Sequence, residues 1–141
     1  MKISVRNVFT GTISHLETGA VNAEFAVGIA GGQKMTAIVT NASVKSVGLA
    51  IGTQVSTLVK ASSVLVSVPV DGSGLRSPTR NRLAGTVQSV TEGVVDAELS
   101  IALPGGVLVR AMITKDSVKI LGLMPATAPL GSWSVILALI A

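Results

Sequence analysis

The first half of this chain is written again in the second, and no other feature of the sequence limits the fold as much. Displaced by 74 positions, residues 6–49 match residues 80–123 at 17 of 44 places. Arg6–Asn7 recurs as Arg80–Asn81, Gly11–Thr12 as Gly85–Thr86, and Gly31–Gly32 as Gly105–Gly106. The stretch "TGAVNAE" (Thr18–Glu24) returns as "EGVVDAE" (Glu92–Glu98). A solenoid needs three or more such units, so two copies predict a pair of small similar domains. Between them runs "PVDGSGLRSP", rich in glycine and proline and therefore turn-forming. The predicted division is a first domain over 1–68, a linker over 69–77 and a second domain over 78–141.

Composition narrows the class. With no cysteine among 141 residues, disulfides and thiolate metal sites are excluded, which fits a reducing compartment. The N-terminus "MKISVRNVFTG" alternates polar and apolar residues and lacks the continuous apolar stretch of a secretory signal. Mean hydropathy is +0.67. Yet the longest apolar run, "SVILALIA", is strand-sized, far short of the ~18 residues of a spanning helix. No membrane partner is expected. Only 13% of residues are charged, so a domain this small is expected to bury surface against copies of itself. The net charge of +4 favours anionic partners weakly. Nucleic acid is not among them, for basic clusters are absent and aromatics make up 2% of the chain.

Within a copy the pattern is mainly strand. "ISVRNVFTGTISHL" is long and β-branched, with Gly11 marking a bulge or bend. "AVNAEFAVGIA" and "KMTAIVT" follow, separated by the Gly31–Gly32 turn. "NASVKSVG" predicts a short helix capped by Thr40 or Asn41 and ended by Gly48. "QVSTLVK" and "SSVLVSV" complete five strands. Five strands with a short helix between the third and fourth match an OB-like barrel, so the predicted class is all-β with two such barrels. A sandwich shared between the copies has the same periodicity.

The sequence offers little for catalysis, and no enzyme is predicted. The one histidine, His15, has Ser89 as its counterpart, and Glu24 and Glu98 recur without a repeated acid–base partner. There is no P-loop and no HExxH. What gathers near predicted strand ends is a set of donors: Ser4, Arg6, Asn7, Thr40, Lys60 and Ser62. Hydroxyls, amides and cations without a carboxylate suit a fully deprotonated tetrahedral oxyanion, which only accepts hydrogen bonds.

Taken together, "S-x-R-N", "G-A-V-N-A-E" and "K-A-S" at these intervals resemble the pattern of the molbindins, in their tandem or di-Mop form. The resemblance covers nearly the whole chain. It implies a cytoplasmic protein that binds and stores molybdate, and accepts tungstate, without a cofactor. It further implies OB-like barrels assembled as a homotrimer of tandem chains, with anions at domain interfaces. Carried over by position, it assigns Ser4, Arg6 and Asn7 to the oxyanion site, with Lys60, the backbone N–H of Ala61 and the Ser62 hydroxyl. Thr40 would approach from a neighbouring domain.

The second copy keeps Arg80, Asn81 and Thr114 but has Pro78 where the serine is expected. Aligning "KASSVLVSV" with "GSWSVILAL" sets Lys60 against Gly131 and Ser62 against Trp133. On that alignment a second-copy site loses its lysine. The alternative function is an oligomeric interaction module whose anion sites have partly decayed.

Overall fold

The computed structural model describes residues 7–68 and 81–123, together with the backbone of Ser134–Leu139. Ser4, Arg6, Arg80 and the expected linker lie outside the described residues. The first copy runs β1 (Asn7–Thr18), β2 (Asn22–Gly28), β3 (Lys34–Thr40), α1 (Asn41–Val47), β4 (Gln54–Val59) and β5 (Val64–Ser67). The second runs β6 (Asn81–Glu92), β7 (Asp96–Ala102), β8 (Leu108–Thr114), α2 (Lys115–Leu121) and β9 (Ser134–Leu139).

The long first strand of each copy serves two neighbours. β1 pairs with β4 from Asn7 to Thr12 and with β2 from Thr12 to Thr18, and a bulge between Ile13 and His15 turns it from one to the other. β6 repeats this, with its bulge between Val87 and Ser89. Gly11 sits just before the handover because a Cβ there would overlap the Gly28 carbonyl oxygen. Alternation then sorts the side chains, burying Ala23, Phe25 and Val27 on β2 and Ala97, Leu99 and Ile101 on β7. Each short helix begins where expected. Thr40 Oγ1 accepts from the Ser43 N–H at 3.1 Å, and Thr114 Oγ1 does the same for Ser117. Gly48 and Gly122 end the helices at positive φ.

The recurring "GAVNAE" line is explained here. Gly19 N–H donates to Asn22 O, and Gly93 N–H to Asp96 O, closing the same tight turn. Ala23 and Ala97, each 1% exposed, then enter the core.

Two features of the topology were not expected. First, β5 leaves its own copy. The sheets are ordered β3-β2-β1-β4 and β5-β9-β6-β7-β8, so the fifth strand of copy one completes the sheet of copy two. Second, β9 occupies the place of β4. Asn81 opposes Leu139 as Asn7 opposes Val59. The alignment of Lys60 with Gly131 and of Ser62 with Trp133 is therefore corrected. The residue following β9, as Lys60 follows β4, is Ile140. Register decides this, since an alternating strand fits any open edge that buries its apolar face.

The copies are joined across a local two-fold. The turns Ala30–Gly32 and Pro104–Gly106 face each other, with Gly31 against Pro104. Buried residues from both copies form one cluster, including Phe9, Ile13 and Phe25 with Leu83, Leu99 and Val109.

Candidate functional site

Where β1 begins, β4 ends. The Asn7↔Val59 pair closes their ladder, and Lys60 follows at once, starting the 3-10 turn Ala61–Ser63. Ser63 N–H donates to Lys60 O at 3.0 Å, which fixes the turn. Ala61 is buried against β8, while Lys60 and Ser62 stay exposed on its outer side. The ion pairs seen among the described residues include Arg110 with Glu98, Lys115 with Glu92 and His15 with Glu17, and Lys60 is in none of these. In sequence, Arg6 directly precedes Asn7. A cation, a hydroxyl and a turn of backbone thus stand at one end of the first barrel.

Thr40 is not part of that cluster within the copy. It pairs with Asn22 beyond the far end of β1, eleven residue steps from Asn7. β1 is bent by its bulge, however, and Ile38, two residues before Thr40, lines the same cavity as Lys60. The Thr40 hydroxyl is exposed, lies 2.9 Å from Ser43 Oγ and caps α1. Either hydroxyl of this pair can be the donor, so the Thr40 hydrogen points outward when Ser43 Oγ donates. Thr114, 2.7 Å from Ser117 Oγ, repeats the arrangement.

Asn7 and Asn81 have another task. Asn7 is 1% exposed; its Nδ2 donates to Arg110 O and its Oδ1 accepts from Arg110 N–H, both at 2.7 Å. Asn81 does the same to Thr36, donating at 2.8 Å and accepting at 2.6 Å. Each asparagine therefore mimics one strand residue and pins the edge strand of the other copy. The amides of Asn7 and Asn81, expected as anion donors, serve in this structure as interlocks between the copies. Thr36 and Arg110 occupy equivalent positions, so this seam is itself duplicated. Gln33 adds a one-sided clasp, bonding both backbone groups of Ala84. Sequence reasoning noticed the repeated "RN" but assigned both residues to ligand. Truncating Asn81 to alanine leaves the Thr36 N–H and C=O unpaired in a part-buried seam. The expected loss is about 2–4 kcal/mol of unfolding free energy, read by urea denaturation.

Between β3 and β4 lies a cavity of about 340 Å³, walled by Met35–Ile38 on one side and Thr57–Lys60 on the other, with Ser63 and Asn81 at its margin. Among the described residues no cluster of His, Cys, Asp or Glu could hold a metal ion. No described helix is long and apolar enough to cross a membrane.

Two OB-like barrels duplicated in one chain, interlocked through an exchanged strand, define a tandem β-barrel protein with donor clusters at its strand ends. By sequence the chain belongs to the TOBE domain family, whose model matches residues 3–66 and again 77–127, in the tandem Mop or molbindin form. It is 40% identical over 141 residues to the molybdenum transport protein ModE of Azotobacter vinelandii, covering 98% of this chain and 51% of that protein. It is 37% identical to the molybdenum-pterin-binding protein MopA of Rhodobacter capsulatus, covering 99% of this chain and 53% of that one. The chain thus spans about half the length of these relatives. A crystal structure of the cytoplasmic molybdate-binding protein ModG, with molybdate bound, superposes with a TM-score of 0.86 at 45% identity. That match covers 99% of this chain and 93% of ModG.

Proposed function

We propose that this protein binds and stores molybdate in the cytoplasm, also accepts tungstate, and has no catalytic role. The observation that carries this reading is the likeness to molybdate-bound ModG along almost the full length of both chains. The exposed Lys60–Ser62 turn beside the start of β1 supplies the local chemistry. In this reading Arg6, Lys60, Ser4, Ser62 and the Ala61 N–H hold the anion from one domain, and Thr40 reaches it from another. Arg80 and Thr114 offer the corresponding, lysine-free set in copy two. A homotrimer is the assembly proposed, with Thr40 approaching from a neighbouring domain. The match to ModE covers only half of that protein, so a transport role is not carried over.

The test is elemental analysis of the purified protein with calorimetric titration. Molybdenum or tungsten should copurify, and molybdate should bind with a saturable heat. Absence of both would favour the interaction module instead.

Selectivity follows from the donor-only character of the set. Molybdate and tungstate carry no proton near neutral pH, whereas phosphate retains one that needs an acceptor. Phosphate should fail to displace molybdate, and sulfate should compete weakly because its shorter bonds leave the donors out of reach. Phosphate competition at equal concentration would show a carboxylate or carbonyl acting inside the site.

A further inference from the structure

The two threonine ends of the chain are built alike and charged differently. Thr40 and Thr114 each close the third strand of a copy, accept a backbone N–H from the serine three residues on, and stand exposed. Their nearest neighbours differ. Across the ladder Thr40 opposes Asn22, whereas Thr114 opposes Asp96. Directly opposed residues have Cβ atoms about 5 Å apart on one face of the sheet. Two positions after the threonine, in the first turn of the helix, copy one has Ala42 and copy two has Asp116. All four of these side chains are exposed. Other charges nearby do not reverse the contrast. Glu24 and Glu98 hold equivalent positions, and so do Lys45 and Lys119. Glu17 has no acidic counterpart, but it is on β1, with β2 between it and Thr40, and pairs with His15. The cations found only in copy two, Arg110 and Lys115, are engaged by Glu98 and Glu92 at 3.0 and 3.9 Å.

We propose that Asp96 and Asp116 are specificity-determining residues that repel oxyanions from the Thr114 end, so that the Thr40 end binds tightly and its duplicate does not. This rests on the reading in which the threonine ends donate to molybdate. Molybdate is a dianion, and an ionised carboxylate beside it offers no donor and adds like charge. At physiological salt a charge is felt over roughly 8 Å, so neighbours one ladder pair or two residues away count. At such range a carboxylate facing a dianion through water lowers affinity about three- to tenfold. Asn22 and Ala42 impose no such penalty on Thr40, and the Asn22 amide can itself donate. The effect is separate from the lysine that copy two lacks. It follows Thr114 to whichever site that residue completes.

The test exchanges these neighbours in the intact chain and titrates sodium molybdate by calorimetry. Asn22→Asp with Ala42→Asp gives the Thr40 end the charges of its duplicate. The tight class of sites should then weaken about tenfold or more. Asp96→Asn with Asp116→Ala does the reverse, and should raise the number of tightly bound anions per chain. At about 1 M sodium chloride charge reaches only about 3 Å, so the weakening in the first variant should shrink to about threefold or less. A structural defect would persist there. With a parent that binds molybdate, three results would each overturn the proposal: unchanged affinity in the first variant, an unchanged count of tight anions in the second, or a loss that survives high salt. A parent that binds no molybdate would overturn the proposed function itself, and this inference with it.

Discussion

Gly31→Ala should be the most damaging single methyl in the protein. Gly31 has φ +85°, a conformation that costs an L-residue about 1–2 kcal/mol. Its added Cβ would also overlap the carbonyl oxygen of Pro104, a backbone atom held by the facing turn. Forcing that contact adds about 1–3 kcal/mol, as for other overpacked sites. The neighbouring Gly32 is an internal control, because it has φ +84° and a Cβ added there would meet nothing within 4 Å. Gly32→Ala should therefore cost only the backbone part, about 1–2 kcal/mol. Denaturant midpoints of the two variants separate local strain from the contact between copies. If both fall by the same amount, Gly31 does not face Pro104 at this distance.

Lys60→Ala should weaken molybdate binding about ten- to hundredfold, the equivalent of roughly 1.5–3 kcal/mol for a charge-assisted hydrogen bond. Arg6→Ala should be at least as severe, since a guanidinium can hold two oxygens at once. Thr40→Ala should also lose affinity although Thr40 lies at the other end of β1. Mixing Lys60→Ala and Thr40→Ala chains after joint refolding should then recover a fraction of tight sites. Those sites arise where an intact Lys60 meets an intact Thr40 from another chain. Titration of the mixture that shows no recovery would place both groups in one chain's site and exclude the interfacial reading. Arg80→Ala should remove less bound molybdate than Arg6→Ala, because Ile140 and not a lysine follows β9.

Much of this architecture was legible in the residues. The duplication, the bend near Gly11, the helix between third and fourth strands and both its caps followed from glycine positions, hydroxyls and alternation. The exchange of β5 was not legible, because a strand's side chains specify which face is buried but not which edge accepts its ladder. The same degeneracy misplaced β9. "SSVLVSV" and "WSVILAL" look alike as strands, yet their hydrogen-bond partners put β9 in the role of β4. In the candidate site, Lys60 and Ser62 were expected at the ends of two strands, and they lie on the exposed 3-10 turn that joins those strands. The interlocking role of Asn7 was not foreseen, for a physical reason. A primary amide presents one donor and one acceptor in the spacing of a peptide group, so it can replace a strand residue as readily as it can bind an anion.

The crossing of β5 also sets an order of events during synthesis. Ser67 leaves the ribosome long before Ser134–Leu139, the strand with which β5 pairs. At typical elongation rates of about 5–20 residues per second, the 66 residues between Ser67 and Ser134 take roughly 3–13 s to appear. Through that interval a short apolar strand is tethered to a nascent barrel with no edge to receive it. The first barrel, with its four described strands, must hold its shape unaided while the second is still being made. A slow or paused ribosome would lengthen the exposure, so yield in cells should depend on translation speed across residues 68–134 and on chaperone supply during that window.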